Sequence, residues 1–199
     1  MSKLPLPLQK IISQLRKFPG VGARTAERYA FHLIEWDSYS LDLLASAIGS
    51  IRKDITPCPT CYCLKGELPC EFCNQDKRDP HTLCIVSSPK DIYPLEETKT
   101  FRGLYHVIGT LFSPLQGNGS EKINLEEIRK RIELTGVKDV ILALDSTLEG
   151  DATALFLKEE MKNWNVSISR LAFGIPMGSS LEYVDAGTLA RAFMGRHDF

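Results

Sequence analysis

Apolar residues recur along this chain with three different rhythms. Near the start, Leu8, Ile11, Ile12 and Leu15 fall at helical spacing, and so do Ala26, Tyr29, Ala30 and Leu33. Each set lines one face of a helix. A third helix is expected over Leu41 to Lys53, with Ser40 as its N-cap. Between residues 57 and 79 the periodicity lapses and little core material is offered. From Thr82 onward, short apolar runs alternate with helical patterns. TLCIVSS (82–88), YHVIG (105–109), KDVILAL (138–144) and VSISRLAF (166–173) read as strands. KDIYPLEET (90–98), NLEEIRKRIEL (124–134) and DATALFLKEEMKN (151–163) read as helices. This alternation predicts an α/β domain with a mainly parallel sheet and right-handed crossovers. Gly and Asn mark LQGNGSEK (115–122) as a loop.

Composition narrows the class. The 199 residues are 43% hydrophobic and 25% charged, ordinary for a soluble globular protein. That length suffices for small modules sharing a core. No apolar run is long enough to span a bilayer, and MSKLPLPLQK lacks the apolar stretch of a signal peptide. A cytoplasmic location is therefore expected, where six cysteines serve as thiols or metal ligands rather than disulfides. The net charge of −1 carries no global nucleic-acid signature. Residues 1–57, however, hold eight Lys or Arg against five Asp or Glu, whereas from Cys84 onward 13 basic residues face 16 acidic ones. If the chain touches DNA, the N-terminal part is the better place.

Candidate chemistry falls at three points. In Phe18-Pro-Gly-Val-Gly22, Pro19 ends a helix while Gly20 and Gly22 permit backbone angles that a side chain forbids. The next helix starts at once, so the unpaired N–H groups of its first turn, around Arg24 and Thr25, can receive a phosphate. Arg24 and Arg28 are four apart, on one face, and can hold flanking phosphates. The segment resembles a helix-hairpin-helix. An ordinary turn between helices is the plainer alternative.

The second point is Cys58-Pro-Thr-Cys61 followed by Cys70-Glu-Phe-Cys73. Two Cys-x-x-Cys knuckles bring four thiolates to one point, which suits a tetrahedral structural zinc with no position open for water. Cys63 competes with Cys61 for the metal; Cys61 reproduces the spacing of the second knuckle. Cys84 reads as a small buried apolar residue. The third point is the acidic cluster Asp145, Glu149 and Asp151, just beyond a buried strand, where open α/β sheets hold ligands.

In this order, the motifs resemble the bacterial recombination mediator family RecR. The resemblance rests on FPGVG (18–22), AFHL (30–33), YHVIG (105–109), SPL (113–115), LEGDATAL (148–155), GIPMG (174–178) and LEYVDAGTLARA (181–192). It implies a helix-hairpin-helix DNA-binding region over 1–56 and a four-cysteine zinc finger over 57–79. A Toprim-like domain would follow over 80–173, then a C-terminal oligomerisation segment over 174–199. It further implies a ring-like homotetramer that encircles DNA. Such a protein acts in DNA repair with RecO, and with RecF where present, to promote RecA loading on gapped DNA. Arg24 and Arg28 match basic positions that the family uses for DNA.

Catalytic Toprim domains pair a glutamate at the end of the first strand with a later acidic pair that holds a divalent metal. Glu149 and Asp151 take the place of the pair, but Ser87 and Ser88 stand where the glutamate belongs. Gln116 replaces an aspartate after SPL. Both departures count against magnesium and against the alternative, a Toprim nuclease or strand-passing enzyme. Asp91 is expected to cap the helix that follows it. For the acidic cluster two uses remain open: contact with a basic partner, or, for Asp151, capping of a helix that begins beside it. His32 is expected to pack in a core or interface, and His81 lies too far from the knuckles to replace a cysteine.

Overall fold

The computed structural model describes residues 4–113 and 123–196. The expected loop at 115–122, with Gln116, lies outside the described residues. The chain divides into two units, one ending at Asp54 and the other beginning at Ile55.

The first unit is helical: α1 (Leu6–Leu15), α2 (Ala23–Ile34) and α3 (Ser38–Asp54). Its buried residues are Leu8 of α1 and the two alanines Ala26 and Ala30 of α2, whose small side chains let α1 and α2 approach closely. Two expectations change here. Helix α3 starts at Ser38 rather than Leu41, because the Asp37 carboxylate accepts the Ser40 N–H at 3.0 Å and its hydroxyl at 2.7 Å. Asp37, not Ser40, supplies the cap. His32 is not packed within this chain: it is exposed and meets Glu35 at 3.3 Å.

The second unit opens with a two-stranded antiparallel ribbon, β1 (Thr56–Pro57) and β2 (Leu64–Lys65). It continues through β3 (Asp79–Val86), α4 (Ile92–Glu97), β4 (Gly103–Val107), α5 (Leu125–Thr135) and β5 (Asp139–Ala143). Then come α6 (Leu148–Glu160), β6 (Ser167–Arg170) and α7 (Ala186–Met194). The sheet order is β4-β3-β5-β6, and every pairing is parallel, as the alternating pattern predicts.

Both faces of the second half of β3, Leu83 to Val86, are buried, which explains its unbroken apolar run. Leu83 and Ile85 pack with Ile128, Ile132, Leu157 and Met161 of the helical layer. Cys84 and Val86 point the other way, toward Tyr105, Ile92 and the cysteine module. That module also closes the sheet. The Tyr105 N–H donates to the Phe72 carbonyl at 3.0 Å, and that of Val107 to the Cys61 carbonyl at 2.9 Å. The edge strand β4 thereby finds partners for donors that would otherwise template another strand.

Helix ends follow local chemistry. Asn124 caps α5, which stops at Gly136 in the left-handed region (φ 69°). Ser88 and Asp91 form a reciprocal capping box at the turn into α4, with the Asp91 carboxylate accepting the Ser88 N–H at 2.8 Å and the Ser87 hydroxyl at 2.7 Å. Asp91 therefore does not cap α4 as expected: it stands at the N-cap of that helix, but its carboxylate turns back to brace the preceding turn, and Ser87 is committed to it. Helix α6 begins at Leu148 under a Thr147 cap, three residues earlier than the sequence pattern suggests.

Candidate functional site

At the hairpin, Gly20 adopts φ 76°, as expected, but Gly22 does not need a glycine's freedom: its φ of −77° is extended backbone open to any residue, and it stands as the N-cap of α2 with no side chain to fill its cap. The first helical hydrogen bond is that of Ala26 N–H to Gly22 O, at 2.9 Å, so the N–H groups of the preceding turn point outward. No acidic residue lies in this first turn. Arg24 and Arg28 are exposed and form no ion pair among the described residues, and Thr25 lies half-buried beside them. Arg28 rests against the Tyr29 ring, 5.6 Å from its centroid. The arrangement sets N–H donors, a helix N-terminus and two unpaired guanidinium groups near one surface, a chemistry suited to phosphate oxygens.

At the cysteine module, the ligand sulfurs of Cys58, Cys61, Cys70 and Cys73 all lie within 4.8 Å of one another. Cys61 and Cys70 are 3.5 Å apart and Cys58 and Cys73 are 3.7 Å apart, none joined by a disulfide. Tetrahedral sulfurs at about 2.3 Å from a zinc would be separated by roughly 3.8 Å, so the four fit a metal of that size. Cys63 is buried but is not among the four converging sulfurs, whereas Cys61 is. Burial pushes the Cys58 thiol up, but the backbone N–H groups of Thr60 and Cys61 outweigh it and bring it down to about 7. Turned N–H donors of this kind favour thiolate.

At the acidic tip, the structure separates what the sequence grouped. Among the described residues the cysteines are the one His, Cys, Asp or Glu group whose ligand atoms converge. Asp145 is exposed and Glu149 half-buried. Asp151 is held by Arg170 at one oxygen and Arg191 at the other, each at 2.7 Å. It does not cap α6: Thr147 does, with its side-chain oxygen 3.1 Å from the Gly150 nitrogen. Gly150 is required for another reason, since a Cβ there would stand 2.0 Å from the Asp145 carbonyl oxygen.

Arg170 and Arg191 are the site residues that sequence reasoning missed. Arg170 falls in a strand pattern and Arg191 in an amphipathic helix, and nothing in their spacing connects either with Asp151. Both guanidinium groups also stack on Phe173, at 4.6 Å from its centroid. They face a cavity of about 660 Å³ lined further by Met194 and Leu171.

Comparison with known proteins gives a consistent result along the chain. Residues 8–51 match the model for the RecR helix-hairpin-helix, residues 81–172 that for the Toprim domain, and residues 174–197 that for the RecR C-terminal region. Proteins called "Recombination protein RecR" are similar over their whole length. That of Chlamydia pneumoniae is 51% identical, with all of both chains covered. That of Chlamydia felis (strain Fe/C-56) is 52% identical over the same span. The Protochlamydia amoebophila (strain UWE25) protein is 49% identical, covering 99% of this chain and all of that one.

Proposed function

Because the chain belongs to the RecR family of recombination proteins, we propose that it is a non-catalytic recombination-repair mediator that grips DNA without reading sequence. In this reading it forms a ring-like homotetramer and works with RecO, and with RecF where present, to promote RecA loading on gapped DNA. The observation that carries it is the hairpin, where Gly22 leaves the α2 N-terminus open and Arg24 and Arg28 stand exposed beside it, without an ion-pair partner among the described residues. Thr25 completes the contact surface. Affinity then comes from phosphates alone and weakens steeply with salt.

Two further features support the reading. Helix α3 buries no residue within the chain, yet it exposes Leu43, Leu44, Ile48 and Ile51. In the C-terminal segment Leu181, Tyr183 and Phe193 are exposed as well. Apolar surface on this scale suits association with further copies of the chain. The cysteine cluster would hold a structural zinc through Cys58, Cys61, Cys70 and Cys73, stabilising the module that covers the β4 edge. An enzyme acting through magnesium at the Toprim tip is disfavoured, because Asp151 is already neutralised by two guanidinium groups and Ser87 cannot serve as a carboxylic acid. Asp145 and Glu149 remain accessible for a basic partner face.

The experiment is an anisotropy titration of labelled gapped DNA with magnesium, at low and high salt, followed by a denaturing gel. Salt-sensitive binding to intact DNA is expected, lost when Arg24 and Arg28 are both changed to alanine. Normal binding by a folded, assembled double variant would sink the hairpin assignment. DNA cleavage abolished by changing Glu149 would restore the enzyme.

A further inference from the structure

A concavity of about 310 Å³ is lined by Lys77, Arg78, Glu96, Lys99, Phe101 and Arg102. Lys77 and Arg78 immediately precede β3, and Arg102 immediately precedes β4. The two strands are parallel, so the concavity lies at their amino-terminal ends. The Toprim acidic tip follows the carboxyl end of β5, at the opposite end of the sheet.

Its charges are not balanced. Arg78 and Glu96 satisfy each other through paired hydrogen bonds, and Arg78 Nε also donates to the Gly103 carbonyl at 2.7 Å. The Arg78 guanidinium packs 5.1 Å from the Tyr105 centroid, so it belongs to the fold. Lys77, Lys99 and Arg102 are exposed, and none has an ion-pair partner among the described residues. Lys99 is held in the left-handed region (φ 56°) by a built turn: its N–H donates to the Glu96 carbonyl at 3.0 Å, and the Thr98 and Thr100 hydroxyls meet at 2.8 Å. Lys99 directly follows the C-cap of α4, so its left-handed backbone is that helix's ordinary termination and fixes where the lysine leaves the chain.

Three like charges around one hollow repel one another, in a part of the chain whose net charge is otherwise negative. A polyanion relieves that repulsion. Lysines supply undirected charge to phosphate, Arg102 can reach two oxygens, and the half-buried Phe101 offers an apolar wall for a sugar or base.

We propose that Lys77, Lys99 and Arg102 form a second phosphate-binding site, on the Toprim-containing unit, for the backbone of a nucleic acid. This rests on the reading that the chain binds DNA, but it does not depend on the hairpin.

The test compares salt dependence in the full-length protein. The variants are Lys77→Gln/Lys99→Gln/Arg102→Gln, Arg24→Ala/Arg28→Ala, and a charge-retaining control, Lys77→Arg/Lys99→Arg/Arg102→Lys. The neutralised triple variant is expected to keep its metal content and far-ultraviolet circular dichroism. Its slope of log affinity against log salt should fall by about two to three, roughly one per lost phosphate contact. The charge-retaining control should restore the slope. An unchanged slope in the neutralised variant, with binding still lost in the Arg24/Arg28 variant, overturns the second site and leaves the hairpin intact. Loss in the triple variant alone overturns the hairpin and leaves the second site standing. If inorganic phosphate shifts the amide resonances of Lys99 and Arg102 while DNA affinity ignores all three substitutions, the site takes free phosphate and the backbone assignment is wrong.

Discussion

Arg191 on α7 meets Asp151 on α6 at 2.7 Å across forty residues of chain. Arg170, from β6, takes the other carboxylate oxygen at the same distance. One carboxylate at the Toprim acidic tip thus fastens the C-terminal helix to the end of the sheet. Burial pushes its carboxyl up, but the two guanidinium groups outweigh that and hold it below the usual range.

Asp151→Asn should therefore loosen α7 rather than change any chemistry. The pair is partly exposed, so a loss of about 1 kcal/mol is expected. A double-mutant cycle with Arg191→Met, read by thermal unfolding, should show the two changes to be non-additive. The sign with pH follows from the lowered folded pKa. The carboxylate's contribution is complete above the unfolded value near 3.8 and is lost as pH falls through the lower folded value. The wild type and Asp151→Asn should converge in acid.

Cys70→Ser should remove a metal ligand and with it much of the stability of the second unit, because a structural metal contributes folding free energy directly. Metal analysis of the wild type should find about one zinc per chain. Chelation should broaden the resonances of Phe72 and Tyr105 first, since the Phe72 carbonyl accepts the Tyr105 N–H of the β4 edge. A metal-free wild type with an intact β4 edge would contradict the assignment.

Gly150→Ala adds a methyl 2.0 Å from the Asp145 carbonyl oxygen, and backbone cannot swing aside as a long side chain can. A destabilisation of about 1–3 kcal/mol is expected from the forced shift. Urea unfolding would measure it. The control is Gly49→Ala in the interior of α3, whose added methyl meets nothing within 4 Å.

His106 is buried against Arg131, which donates to its Nδ1 at 3.1 Å. Burial first, and the neighbouring guanidinium second, push its pKa down to about 3. Above pH 6.5 the ring is neutral in folded and unfolded chains alike and contributes no pH dependence. Below it the unfolded chain gains a proton that the folded chain refuses. Stability should fall by about 1.4 kcal/mol per pH unit on the way to pH 3. His106→Asn should flatten that slope in urea titrations, and the wild-type ring should show no chemical-shift titration between pH 5 and 8.

Much of this protein was legible in one dimension because its signals are local. The central strands of the parallel sheet announce themselves by apolar runs, since burial on both faces demands them, whereas edge strand β6 alternates exposed serines with half-buried Ile168 and Arg170. The two knuckles converge because a Cys-x-x-Cys turn aims both sulfurs at one point within four residues. The hairpin is equally local: proline, two glycines and a helix start suffice to expose N–H donors. Helix starts were less legible, because Asp37 and Thr147 compete as caps with residues a few positions on, and hydrogen-bond geometry decides between them. What only the tertiary structure decided are the long-range pairings. Asp145, Glu149 and Asp151 are near neighbours in sequence, yet the turn into α6 sends them apart, and Asp151 is claimed by arginines 19 and 40 residues away. Lys77 lies more than twenty residues before Lys99 and Arg102, and the three cations, without ion-pair partners among the described residues, line one hollow only because β3 and β4 start side by side. Sequence determines what each segment can do, because propensity and spacing act over a few residues; which charges meet is determined by packing, which brings distant segments to within a few ångströms.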